Sequence, residues 1–116
     1  MTFIGSTPNP APFDLSVQDA LALADQTSSV FDLSRLLHHG DERVRAAVAA
    51  HPSLPVELAW LLVDDRSDKV RHQLALRHFP GIANVLVNDI SVLVQLAIYE
   101  DPNLDPDLRA SLLERY

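Results

Sequence analysis

Asp41–Ala75 reads DERVRAAVAAHPSLPVELAWLLVDDRSDKVRHQLA, and inside it Val44-Arg45 is answered by Val70-Arg71 at +26. Pro52 and Pro55 divide the stretch, because proline lacks an N–H and cannot continue a helix. Before them, Glu42 to His51 predicts one helix with Val44, Ala47, Val48 and His51 on a stripe. After them, a second short helix takes Pro55 in its first turn, where the missing N–H costs nothing. It turns Leu58, Leu61 and Leu62 inward and stops at Asp64-Asp65. One helix pair and the start of the next therefore fit in 35 residues.

The cadence extends in both directions. Leu33/Leu37, Leu58/Leu62, Ile82/Leu86 and Leu108/Leu112 are i, i+4 apolar pairs spaced by 25, 24 and 26. The preceding helices carry Val44/Val48, Val70/Leu74 and Val92/Leu96, with prolines at 52, 80 and 102 after them. A period near 25 is the mark of stacked units that bury their faces only against neighbours. Upstream, Asp14 or Ser16 caps a helix bearing Val17, Ala20, Leu21 and Ala24, and Val30 to His39 forms another that stops at Gly40. Downstream, helices are expected at Ser67/Asp68 to His78/Phe79, Ile82 to Val87, Ile90 to Tyr99, and from the Asp105 cap to Tyr116. Ile82 to Tyr99 is rich in β-branched residues around Asn88-Asp89, so a hairpin is the competing reading there. Residues 1–12, with Pro8, Pro10 and Pro12, read as a flexible arm; residues 13–116 read as one helical-repeat domain.

Composition narrows the function classes. No run of about 18 uncharged apolar residues occurs, which speaks against a membrane span. The N-terminus has neither a basic region nor an apolar core of the secretory kind, so the cytoplasm is the expected compartment. Cysteine is absent, removing disulfides and thiolate metal sites. A net charge of −7 argues against nucleic acid as the main partner. From Arg35 to His78 there are seven basic and six acidic residues; from Phe79 onward there are six acidic residues against Arg109 and Arg115.

From Val44-Arg45 through Leu62, the pattern V-R-x-x-V-A-x-x-P-x-x-P-x-x-L with aspartate before and after resembles the leucine-rich repeat variant family, a helical-repeat group within the armadillo/HEAT-like class. The resemblance covers roughly residues 41–116, is closest over Asp41–Asp65, and weakens in the last unit, where Gln95 or Leu93 stands in the arginine column. It implies an all-α, right-handed solenoid of about four helix pairs whose surface binds other molecules. Relatives with an iron–sulfur module use a cysteine cluster; this chain has none, so that function does not transfer.

The chemistry-bearing residues are few. His38, His39, His51, His72 and His78 lie within 41 residues, but no H-E-x-x-H or comparable pairing puts two rings on one helix face. They read as helix-end and surface histidines, with metal binding or pH sensing as the sharper alternatives. Arg45 and Arg71 share a column and admit two readings: ties to acidic turns such as Asp64-Asp65, or an anion-binding ladder. Asp41 stands four residues before Arg45, a spacing suited to an i, i+4 pair. Trp60 shares its column with Arg35, Asn84 and Ala110, a mixture that implies a position at least half exposed, and exposed tryptophans often anchor interfaces. No G-x-S-x-G, phosphate loop or glycine-rich turn is present, and only three glycines are available to build one.

The sequence thus predicts a non-enzymatic protein-interaction module without cofactor or metal, contacting a protein partner through Trp60, Arg45, Arg71, His72 and Arg35. Three alternatives stay open. They are nucleic-acid binding through Arg43, Arg45, Arg66, Lys69, Arg71 and Arg77; a homodimer through the C-terminal helix with Leu108, Leu112 and Leu113; and a helical-repeat enzyme or lyase.

Overall fold

The computed structural model describes residues 14–115 and contains, among them, eight helices and no strand. They are α1 (Val17–Gln26), α2 (Val30–Leu36), α3 (Glu42–Ala49), α4 (Val56–Leu61), α5 (Asp68–Ala75), α6 (Ile82–Leu86), α7 (Val92–Tyr99) and α8 (Pro106–Leu113). The hairpin considered for Ile82 to Tyr99 is replaced by α6 and α7. The proposed arm, residues 1–12, lies outside the described residues.

Local chemistry places the boundaries. Ser16, Ser29, Asp41, Ser67 and Asp105 each accept a backbone N–H from the first turn of the helix they precede, which satisfies donors that have no partner within the helix. Pro55 is the residue before α4 rather than part of its first turn, and Pro106 opens α8. Gly81, with φ of +86°, precedes α6 in the left-handed region that favours glycine. Helices of five to ten residues are too short to stand alone in water. Packing between them must hold the fold.

That packing follows a simple order. α1, α3, α5 and α7 contact one another in succession, while α2, α6 and α8 each pack against the odd-numbered helices beside them in the chain. Between the two rows runs one core, to which Leu33, Leu36, Val44, Val48, Leu62, Val70, Leu74, Ile82, Leu86, Val94 and Ile98 all contribute.

Two expected faces are rotated. In α7, Val94 and Ile98 are fully buried, whereas Val92 and Leu96 are more than half exposed. The Val92/Leu96 stripe expected from sequence therefore faces outward. In α4, Leu61 points to solvent and the inward positions are Ala59 and Leu62, with Leu58 half-buried. Both helices are apolar nearly all round, so periodicity does not distinguish their faces.

The register of α7 has a direct test. Ile98→Ala is expected to cost about 2–5 kcal/mol by opening a cavity, while Leu96→Ala stays within about 0.5 kcal/mol, as exposed positions do. Urea unfolding of the two variants measures both, and the reverse ranking would reinstate the Val92/Leu96 stripe.

Candidate protein-docking site

The arginine column comes first, because it decides what remains available to a ligand. Arg45 is only 3% exposed. Its Nε and Nη2 donate to the two carboxylate oxygens of Asp65 at 2.8 and 3.2 Å, and its Nη1 donates to the carbonyls of His39 and Gly40. Arg71 repeats the fork on Asp89 at 2.6 and 3.2 Å, with its Nη1 on the carbonyl of Asp65 at 2.6 Å. Its hydrogen bonds to that carboxylate hold the Arg71 guanidinium above its ordinary value. Gln95 continues the column, donating its amide to the carbonyl of Asp89. In all three cases the acceptor carbonyl lies six residues upstream. Of the two sequence readings of Arg45 and Arg71, the geometry matches the tie to acidic turns, because their donors are spent inside the chain.

The tie is made to the next helix pair, not to Asp41. The Asp41 carboxylate instead grips Arg43, through that residue's backbone N–H and its Nε and Nη2. Asp65 and Asp89 also cap their own turns, each accepting the N–H two residues on, from Ser67 and Ser91. His39 and His51 do the same with Nδ1 while Nε2 donates to the carbonyls of Leu15 and Thr27, each 24 residues back. Both rings are buried, so these two are internal bridges rather than surface histidines. Among the described residues, no three His, Asp or Glu side chains converge as a metal site.

Trp60 is 42% exposed. Its ring leans on the following pair: a Cβ built on Gly81 would sit 3.4 Å from Trp60 Cζ2. The ring thus partly covers that glycine. Arg35 is half-buried with its guanidinium 5.6 Å from the Phe31 ring centroid, and His72 is half-buried on α5. Of the five residues singled out from sequence, Arg45 and Arg71 are thus committed to ion pairs within the chain, and Trp60, Arg35 and His72 lie on α4, α2 and α5. Of the C-terminal leucines, Leu112 is buried, Leu108 half-buried and Leu113 exposed.

The surface the sequence reading missed is the outer face of α7. Aligning Gln95 with Arg71 and Arg45 sets Val92, Leu93 and Leu96 against Asp68, Lys69 and His72 of α5, and against Glu42, Arg43 and Ala46 of α3. Charge gives way to leucine and valine. Leu93 and Leu96 are 55% and 57% exposed, and Leu76, which follows α5, lines the same groove. A groove of about 380 Å³ runs between α5 and α7 over His72, Leu76, Leu93, Leu96, Ala97, Tyr99 and Glu100. It continues past Leu96 and Tyr99 into a second recess of about 280 Å³ that reaches Gln95, Leu112 and Leu113. A contiguous apolar surface of this kind marks an interaction site more often than an isolated exposed leucine does.

No family model, curated protein or solved structure matches the chain.

The Asp41 fork makes a measurable electrostatic signature. Hydrogen bonds from the Arg43 side chain and then its backbone N–H hold the Asp41 carboxyl at about 2, below its ordinary 3.8. Because the folded value is the lower one, its contribution to stability is present above 3.8 and is lost as pH falls toward 2. Carbon-detected NMR titration should place the Asp41 midpoint near 2 and move it part of the way back in Arg43→Ala. A wild-type midpoint at the ordinary value would show that the fork is open in solution.

Proposed function

We propose that this chain is a non-enzymatic protein-binding module, a short right-handed α-solenoid of about four helix pairs of the leucine-rich repeat variant type. Support for the stacked-unit reading comes from side-chain bonds that recur about one period apart. Ser67 Oγ donates to Glu42, Ser91 Oγ to Asp68, Arg77 to the carbonyls of Ala49 and His51, Asn103 to the carbonyl of His78, and Arg115 to the carbonyl of Val87. Their separations run from 23 to 28 residues, bracketing the period read in the sequence.

The observation that carries the binding reading is the outer face of α7. Three stacked helices share one backbone frame, and only the third replaces charge with Val92, Leu93 and Leu96 there. With these side chains a little over half exposed, the burial still open to a docked partner is worth about half of the full value, roughly 0.8–1.5 kcal/mol each. We therefore place the contact on the α5–α7 groove in preference to Trp60 and the arginine-bearing middle.

The rival nucleic-acid reading draws on six basic side chains, and all six are already engaged. Arg43 serves Asp41, Arg45 serves Asp65, Lys69 approaches Glu42 at 3.6 Å, Arg71 serves Asp89, Arg66 donates to the Gly40 carbonyl, and Arg77 to those of Ala49 and His51. With a net charge of −7 and the two most buried arginines, Arg45 and Arg71, committed to carboxylates, the protein reading is favoured.

A photo-reactive amino acid placed at Leu93 tests the location in the source cell. Irradiation is expected to give one discrete protein adduct from position 93 and none from position 57 on α4. An adduct from position 60 with none from 93 would move the site to the Trp60 face.

A further inference from the structure

The charge around the α5–α7 groove bears on what it accepts. From Phe79 onward the chain has six acidic residues and two basic ones. Both bases are consumed internally: Arg109 donates to the carbonyls of Tyr99 and Asp101, and Arg115 to the Val87 carbonyl and the Asn88 side chain. On the acidic side, Asp89 is paired with Arg71, Asp101 is buried, and Asp105 caps α8. Glu100, Asp107 and Glu114 remain exposed with no ion pair among the described residues. Glu100 is the carboxylate that lines the groove itself. The other titratable side chains in the lining are His72 and Tyr99. Lys69, an exposed base on α5, is drawn toward Glu42 of α3.

The shape is equally selective. The floor is Ala97, a small side chain between the leucines of two neighbouring helices, and the apolar strip continues from Leu76 across Leu96 to Leu113. A helix is the element that fills such a trough, laying residues at i, i+3, i+4 and i+7 into it and keeping its polar face at the rim.

We propose that the α5–α7 groove receives a cationic amphipathic helix of a protein partner, its leucine-like stripe on Leu76, Leu93 and Leu96 and its basic flank on Glu100. The proposal rests on the docking reading above and adds the chemistry of the partner. A second copy of this chain is the less favourable occupant, because each copy carries −7 and brings the same acidic rim to the contact.

Two helical peptides of about 18 residues, about five turns, test it. One carries leucines on one face and lysines on the other; in its companion glutamate replaces every lysine. Each is titrated into the isotopically labelled full chain and followed by amide chemical shifts, with light scattering on the chain alone. The lysine peptide is expected to shift amides of α5 and α7 and to bind at least about tenfold tighter than the glutamate peptide. Glu100→Lys should weaken it several-fold and Leu96→Ala should weaken both peptides. Equal affinities, or tighter binding of the glutamate peptide, at the same amides would overturn the cationic partner and leave the docking face standing. Binding that ignores Leu96→Ala, or no binding of either peptide, would overturn both. A dimer of the free chain that dissociates in Leu96→Ala would assign the groove to a second copy and end the proposal.

Discussion

Everything in this fold hangs on a guanidinium that reaches from one helix pair into the next. Arg45 leaves α3, grips both oxygens of Asp65 ahead of α5, and holds the carbonyls of His39 and Gly40 behind it. The side chains are 4% and 8% exposed, so the pair is nearly dry. Desolvating two such charges offsets most of their attraction, and a buried pair is a weak source of net stability. What it supplies is register. A fork with two acceptors on the next turn and two on the previous one is satisfied in one stacking only, and each unmet donor is costly. Side-chain bonds such as Ser67 to Glu42 and Arg77 to the Ala49 and His51 carbonyls, together with the shared apolar core, act beside it.

The same column explains where the ordering relaxes. Arg71 repeats the fork on Asp89, and the uncharged Gln95 keeps the carbonyl bond to Asp89. In that same third helix the outward face changes from Asp68/Lys69 to Val92/Leu93. A helix that no longer passes an ion pair onward also presents leucine outward. The groove beside it combines those leucines with an acidic rim, so one helix joins the structural role to the proposed binding role.

Much of this was legible in the sequence. The all-helical class, the helix starts at the serine, aspartate and proline positions, and the link from Arg45 to the Asp64-Asp65 turn all follow from residue types with strong local preferences. The α7 face was not legible from periodicity, because VLVQLAIY is apolar at seven of eight positions and both its faces fit a core. The sequence leaves Gln95 or Leu93 in the arginine column; the structure puts Gln95 there, so Val94 falls on Val70 and Val44 and Leu96 faces out. Two sequence signals were too weak to read. Asp41 has Arg43 and Arg45 within reach, and a two-residue fork on the helix cap excludes the i, i+4 pair. His39 and His51 are short-range cap acceptors whose second ring nitrogen reaches 24 residues back, a contact that only the assembled stack creates.

A double-mutant cycle at Arg45 and Asp65, read by urea unfolding of the full chain, tests the ladder most directly. Each single alanine variant should lose about 3–5 kcal/mol, because it strands a buried partner. The double variant should lose less than the sum, leaving a coupling of about 1.5–3 kcal/mol. Additive losses with a coupling near zero would contradict the ladder, and the stacking register would have to come from apolar packing alone.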